Sequence, residues 1–157
     1  MAHMAEASKG PDYARLLLMI LVSFLAMYAL MYAMVNSLAN VYMNVNQFYM
    51  AGIMAAPMGI IELVLMGAMY RDKRLNAIVG ASCGLALVVF WVLIRQQAGV
   101  SDTQFLRSMI PHHAGAILMC EEAPIQQPEI KALCQTIISS QQAEIDQMKA
   151  KLAALAR

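Results

Sequence analysis

Three long apolar runs dominate the first two thirds of the chain. Leu16 to Val35 carries no charged residue, Phe48 to Tyr70 carries only Glu62, and Leu75 to Ile94 carries none. Each run is close to the ~20 residues that a helix needs to cross the hydrocarbon core of a bilayer. The pattern predicts three transmembrane helices at about residues 16–35, 48–70 and 75–94, within a membrane domain of residues 1–95.

An uncharged, asparagine-rich segment at residues 36–47 separates the first two runs. Asn and Ser side chains compete for backbone hydrogen bonds and favour turns. We therefore expect a loop between two spans here, and not a single over-long helix.

The pattern changes after residue 96, where residues 96–157 predict an extramembrane helical hairpin. Asp102 is placed to cap a first helix that runs to about Glu122, and Pro124 to Pro128 form the turn. Three- and four-residue spacing gives the second helix one apolar face over six turns. That face consists of Ile130, Leu133, Cys134, Ile137, Ile138, Gln141, Ile145, Met148 and Leu152.

The predicted fold class is therefore all-α, with three transmembrane helices followed by a hairpin. Two helices this short cannot bury a sufficient core by themselves. We expect them to pack on a second copy of the chain, on the membrane domain or around a metal ion.

Composition and charge support a membrane protein. Hydrophobic residues make up 61% of the chain and charged residues 13%, against about a quarter charged in soluble domains. Basic residues lie before the first span and between the second and third, and the first loop has none. They are Lys9, Arg15, Arg71, Lys73 and Arg74. The positive-inside rule then predicts a bacterial inner-membrane protein with a cytoplasmic N-terminus and a periplasmic hairpin.

Whole classes of function are disfavoured by the same data. The net charge of +1 gives no basic surface for nucleic acid. Phosphate-binding loops and nucleophile elbows are absent from the sequence, so no enzyme activity is expected.

The densest candidate chemistry is Met109-Ile-Pro-His-His113, followed by Met119 and Cys120. Imidazole, thioether and thiol are the donor types that soft transition metals select, copper above all. At roughly 100° per residue these side chains fall within an arc of about 120° on the first helix. Both histidines are expected on the inner face of the hairpin, and Pro111 should kink the turn that presents them. Met109, Met119 and Cys120 are equally compatible with simple core packing.

Gln141, Glu144 and Met148 share a face of the second helix. Glu144 is a candidate ligand, a surface acid or a partner that orients an imidazole, and the orienting role is favoured because metal-bound histidines usually donate their other N–H to an oxygen. Gln141 is given the same orienting role.

The membrane part has its own methionine pattern. Met50, Met54, Met58, Glu62 and Met66 recur every four residues in the second span, and Met27 and Met31 follow the same spacing in the first. These stripes represent either helix packing or a path for metal ions. A carboxylate in mid-span is costly, so Glu62 is a functional-site hypothesis in its own right.

Taken together, residues 101–153 resemble the family called domain of unknown function 305. The resemblance rests on Asp102-x2-Phe105-x3-Met109-Ile-Pro-His-His113-x-Gly115-Ala-Ile-x-Met119 and on Ile137-Ile138-x2-Gln141-x2-Glu144-Ile145-x2-Met148-x3-Leu152. It implies half of a ferritin-like four-helix bundle, completed by dimerisation, and a largely exported family with copper-binding members. The metal donors that it implies are Met109, His112, His113, Met119 and Met148.

Cys120 and Cys134 stand where that family usually has small residues. Thiols on opposite sides of the hairpin turn either add to Cu(I) binding or form a disulfide in an oxidising compartment. The sequence leaves both possibilities open.

The leading functional prediction is a membrane-anchored copper-binding protein in copper sequestration, delivery or tolerance. Thioethers favour Cu(I), and imidazoles also accept Cu(II). The alternative is a copper transporter or channel that uses the methionine stripes and Glu62, since three spans, Met-x3-Met and Gly80-x3-Gly84 loosely resemble the Ctr copper transporters. A ferritin-like iron oxidoreductase is disfavoured because the Glu-x2-His pairs are missing. Zinc is the second-choice metal for the histidines.

Overall fold

The computed structural model describes residues 10–156, and in that range the chain is built from helices alone. His3 and Lys9 lie outside the described residues. The five α-helices are α1 (Gly10–Leu30), α2 (Val45–Leu65), α3 (Lys73–Arg95), α4 (Asp102–Glu122) and α5 (Pro128–Leu155), and two short 3-10 turns, Met31–Met34 and Leu38–Asn40, follow α1. The predicted all-α class is confirmed.

Three helical segments are long and apolar enough to cross a membrane: Asp12–Met34, Val45–Leu65 and Lys73–Arg95, with mean hydropathies of 2.3, 1.8 and 2.5. Their outward side chains are apolar, and Leu17, Leu21 and Leu25 of α1 are all more than half exposed. Such surfaces are stable in hydrocarbon and unstable in water.

The second span differs most from its predicted bounds. It begins at Val45 and ends at Leu65, whereas the apolar pattern extends to Tyr70. A turn follows, in which the Met69 N–H donates to the Met66 carbonyl. Asp72 then caps α3 by accepting from the backbone N–H groups of Arg74 and Leu75. Apolar composition alone does not report where the backbone hydrogen bonds stop.

The first compact unit consists of α1 up to Tyr28, most of α2, and α3. The face of α2 that is buried in it consists of small residues: Ala51, Gly52, Ala55, Ala56 and Gly59. A Cβ added at Gly52 would lie 2.5 Å from the Phe90 ring, and one at Gly59 would lie 2.6 Å from Cys83 Sγ. The two glycines of α2 therefore allow its neighbours to approach closely. Gly84 of the third span has no such role, since a Cβ added there would have open space beside it.

The second compact unit combines α4 and α5 with residues 29–48, which run from the end of the first span through the loop to the start of the second. Its fully buried centre is formed by apolar side chains from both helices of the hairpin: Leu106, Ile110, Ala114, Ile117, Ile145 and Met148. The α4 bounds and the start of α5 at Pro128 match the sequence prediction. The predicted cap is wrong by one residue, because Ser101 accepts from the Gln104 N–H and Asp102 is the first helical residue.

The segment between the spans covers the other side of α4. Val35 and Tyr42 pack against the hairpin core, and the backbone N–H of Val45 donates to Gln104 Oε1 at 3.1 Å. The Asn46 amide reaches Ser108 Oγ at 3.3 Å. The hairpin thus gains its missing apolar cover from within the chain, which the asparagine-rich sequence of residues 36–47 did not reveal.

Gly115 allows this cover to approach α4 closely. A Cβ at Gly115 would lie 3.4 Å from the Met34 carbonyl oxygen, so only a small side chain fits between helix and segment.

Candidate metal centre

His113 is the best-defined polar side chain of the hairpin. It is only 7% exposed, and both ring nitrogens have partners. Nδ1 lies 2.9 Å from the backbone carbonyl oxygen of Met109, and Nε2 lies 2.7 Å from Glu144 Oε2 on α5. A carbonyl oxygen only accepts hydrogen bonds, so Nδ1 carries a proton and donates it.

Glu144 lies against the other nitrogen. Nε2 and Oε2 share a proton, since two lone pairs do not attract each other at 2.7 Å. The Glu144 side chain is 53% exposed, so one edge of this pair is open to solvent. The sequence predicted that Glu144 orients an imidazole through its non-coordinating N–H. In the structure the Met109 carbonyl makes that contact, and Glu144 occupies the position where a metal on Nε2 would bind.

Two thioethers lie one turn away from the pair. The helices are antiparallel, so stepping four residues back from His113 and four forward from Glu144 brings Met109 and Met148 to the same level. Met148 belongs to the buried core, and Met109 packs against that core. The two thioether residues therefore lie one helical turn along the axis from the nitrogen and oxygen of the His113–Glu144 pair.

The remaining predicted donors on α4 point elsewhere. His112 is exposed, and its ring centroid lies 6.2 Å from that of His113. Met119 is 55% exposed. The expectation that both histidines lie on the inner face is wrong for His112, because adjacent residues on a helix differ by about 100° and the larger apolar side chains occupy the interior.

Cys120 is bonded to Cys134 in a disulfide across the two helices. In this form neither sulfur offers a thiolate to a metal. Cys120 also lies two helical turns, or ~10 Å along the axis, from His113. Ligand atoms of one first-row ion lie within roughly 2.0–2.3 Å of it, so these two side chains do not belong to one coordination sphere.

Comparison with known proteins agrees with the residue pattern. The family described as Domain of unknown function (DUF305) matches residues 61–152. The chain belongs to this family. Its match begins in the second span, well before the hairpin where the motif resemblance starts.

An uncharacterized protein of Acanthamoeba polyphaga mimivirus is 34% identical to the chain over 112 residues, which cover 70% of this chain and 72% of the relative. The segment after residue 96 is much shorter than that alignment, so the DUF305 chain and this relative are also alike upstream of the hairpin. No solved structure matches the chain.

Within the described part of this DUF305 chain, no three His, Cys, Asp or Glu side chains come together as a metal site. The donor groups near His113 in the described residues are Glu144, in direct contact, and the thioethers of Met109 and Met148 one helical turn away. Gln141, the other predicted orienting residue, lies half-buried on α5, one turn before Glu144.

The methionines of the spans have mixed positions. Met50 and Met54 are exposed on α2, opposite its buried small-residue face, and Met58 is half-buried. Met66 lies beyond the end of α2, and Met31 lies in the first 3-10 turn, whereas Met27 is half-buried within α1. The predicted stripe on α2 thus runs along the outside of the first compact unit.

Glu62 lies in the last turn of α2 and not in the middle of a span. Its Oε1 accepts a hydrogen bond from the Tyr70 hydroxyl at 3.5 Å. Burial raises the pKa of the Tyr70 hydroxyl, and the neighbouring Glu62 carboxylate raises it further by a smaller amount. The pair adjoins Asn76, whose amide donates to the Tyr70 carbonyl at 2.8 Å, and this setting explains Glu62 as part of a polar helix end.

One element of the site escaped sequence reasoning. The Met109 carbonyl fixes the His113 ring, yet a backbone oxygen leaves no trace in a motif. The spacing of Met109 and His113, four residues apart on one helix, was the available signal, since such side chains meet the preceding turn.

Proposed function

We propose that this chain is a membrane-anchored copper-binding protein that acts in copper sequestration, delivery or tolerance. The observation that carries the proposal is the contact between buried His113 and half-exposed Glu144, with Met109 and Met148 one turn away. The mode of action is capture of the ion on the hairpin by donors from both helices.

The donor chemistry supports copper over its competitors. Thioethers select Cu(I), and imidazole binds both Cu(I) and Cu(II), while zinc makes no use of thioethers and iron sites of this architecture are rich in carboxylates. Because the Met109 carbonyl holds the proton on Nδ1, Nε2 is the nitrogen left for the metal. Copper would displace the proton shared with Glu144 and retain that carboxylate as an oxygen donor.

We place the hairpin on the periplasmic side of a bacterial inner membrane. Arg15, Arg71, Lys73 and Arg74 flank the cytoplasmic ends of the spans under the positive-inside rule. An extracytoplasmic hairpin meets incoming copper before the membrane does, and an oxidising compartment suits the disulfide.

A second copy of the chain is the expected partner of the hairpin. Five uncharged positions on the open side of α4 alternate at intervals of four and three residues, the spacing of a helix-packing seam. They are Phe105, Met109, His112, Ala116 and Met119. The 21 residues of α4 make a two-helix face ~31 Å long and ~20 Å wide. Its area of ~600 Å² is at the lower end of the range per partner for a standard interface.

Cross-linking tests this dimer. An Ala116→Cys variant of the full chain, in detergent and treated with a short bis-maleimide without reductant, should give a covalent dimer. Ala116 is half-buried, and Ser139→Cys, at a fully exposed position off the seam, should stay monomeric. The native cysteines do not interfere, since Cys83 is buried and the other two are bonded. Equal cross-linking of both variants, or of neither, would remove the seam as the interface.

Copper content tests the proposed function itself. Full-length protein purified from copper-supplemented cells should contain copper, and the His112→Ala, His113→Ala double variant should lose most of it. The full chain is required, because residues 29–48 are part of the hairpin unit. A wild-type protein without copper in its disulfide form, or a double variant with unchanged content in that form, contradicts the proposal.

The same experiment separates capture from transport. Met54→Ala and Glu62→Gln should keep their copper if the hairpin is the binding site. The transporter alternative instead predicts copper flux into proteoliposomes that these two substitutions abolish and the histidine substitutions only slow. With Met50 and Met54 exposed on the outside of the helical unit, such a path would have to form between copies of the chain.

A further inference from the structure

We propose that Cys120 and Cys134 form a second metal site, separate from the His113 centre, which binds Cu(I) as a pair of thiolates when the disulfide is reduced. The disulfide and the metal-bound form are then alternative states of one cysteine pair. This inference rests on the proposed function only in its choice of copper as the metal.

The geometry suits two-coordinate Cu(I). The two Cα atoms are 5.2 Å apart on facing helices, so both sulfurs already point into the same gap. Soft thiolates select Cu(I). An ion with bonds of roughly 2.3 Å to each sulfur holds the two sulfurs about 4.6 Å apart. The reduced side chains reach this separation by rotating about their Cα–Cβ bonds, since the two Cα atoms are 5.2 Å apart.

The pair is accessible from one side. Cys134 is buried, but Cys120 is only half-buried. Next to them, Met119 is 55% exposed on α4 and Leu133 is 57% exposed on α5. A reductant or a metal carrier can therefore reach the Cys120 sulfur without unfolding the hairpin. Thiol–disulfide exchange requires such access to one sulfur.

The local charge favours a cation. Glu121 and Glu122 are exposed in the last turn of α4, directly after Cys120. These carboxylates raise the local concentration of copper ions near the sulfur pair.

The two sites are distinct. Ten residues separate Cys134 from Glu144 on α5, which corresponds to ~15 Å along the helix. The histidine centre and the cysteine pair therefore bind separate ions, and each site is removable without touching the ligands of the other.

The redox chemistry is a simple cycle. An external dithiol passes two electrons and two protons to the disulfide, becomes a disulfide itself, and leaves Cys120 and Cys134 as thiols. Cu(I) then forms two Cu–S bonds and releases both thiol protons to solvent, with no change in its oxidation state. A disulfide oxidant that takes two electrons from the thiolates re-forms the S–S bond and expels Cu(I). Copper capacity thus follows the redox state of the compartment.

Titration with Cu(I), in competition with a coloured Cu(I) chelator, tests the site. Full-length protein in detergent is titrated anaerobically in its disulfide form and again after reduction by a phosphine that is removed before titration. Reduction should about double the copper bound per chain. Cys120→Ser and Cys134→Ser should abolish this increment, and Cys83→Ser, the buried cysteine of α3, should keep it.

The outcomes for the two sites are separable. His113→Ala should lower binding by the disulfide form and keep the increment that appears on reduction. If reduction adds no copper, or if both serine variants keep the full increment while their helical content is unchanged, the cysteine site is overturned. If the disulfide form binds no copper but the increment persists, the function proposed for His113 fails and the cysteine site stands.

Discussion

Replacing His113 with alanine should lower the affinity of the disulfide form for copper by about 100-fold, equivalent to ~2.7 kcal/mol. His113 is the buried histidine, and its Nε2 is held 2.7 Å from Glu144. His112→Ala should cost less than about tenfold, because His112 is exposed and does not belong to the His113–Glu144 contact. Competition titration with a Cu(I) chelator measures both affinities.

Glu144→Gln is the companion variant. It keeps the shape of the side chain and an oxygen donor but removes the negative charge, so we expect a loss of about tenfold, within the range of contacts that tune a bound metal. Gln142→Ala is the matched control, since Gln142 lies exposed on the same helix and bonds only to Asp146 at 3.0 Å. Equal losses for His112→Ala and His113→Ala would show that burial and the Glu144 contact do not select the ligand.

His113→Gln separates ligand loss from structural damage. Removing a buried hydrogen-bonding side chain costs ~1–3 kcal/mol of stability when its partner is left unpaired. Glutamine keeps a polar group beside Glu144 but offers no imidazole. A variant that keeps its helical content and still loses about 100-fold in affinity assigns the effect to the metal.

The two hairpin helices were predictable from sequence because their end signals are strong. Pro124 and Pro128 lie at the two ends of the turn, and a helix does not continue across two prolines so close together. The apolar spacing of α5 then continues without interruption to Leu152. The end of α2 was less predictable, since the residues after Leu65 are as apolar as those before it. Composition reports which solvent a segment prefers, while the backbone hydrogen bonds decide where it turns.

The donor stripe on α4 shows the limit of helical periodicity. Spacing establishes that Met109, His112, His113 and Met119 share an arc, but it does not establish which edge of the arc faces the partner helix. That direction depends on the packing of Ile110 and Ile117, both fully buried, between α5 and residues 29–48. The docking of that segment depends on contacts distant in sequence, such as Val45 with Gln104, and local pattern carries no information about them.

Ile145→Ala should destabilise the hairpin by ~3 kcal/mol. Ile145 is fully buried at the centre of the core cluster, and large-to-small substitutions at such positions cost ~2–5 kcal/mol through lost contacts and the cavity left behind. Leu133→Ala, at a position that is 57% exposed on the same helix, should change stability by no more than ~0.5 kcal/mol. The comparison isolates burial, since both variants shorten an aliphatic side chain on α5.

Hydrogen exchange of the α5 amides in the detergent-solubilised chain measures this effect within one compact unit. A loss of 3 kcal/mol corresponds to exchange ~150-fold faster through opening of the hairpin. Saturating copper at about 100 times its dissociation constant should restore ~2.7 kcal/mol, because the ion binds only the folded site. Glu144 directly precedes Ile145, so we expect copper to restore the protection of the α5 amides in Ile145→Ala. Copper should restore no protection in the Ile145→Ala, His113→Ala double variant. These two results together would show that the core and the ligands belong to the same folding event. Protection that copper leaves unchanged in both would separate the metal from the hairpin core.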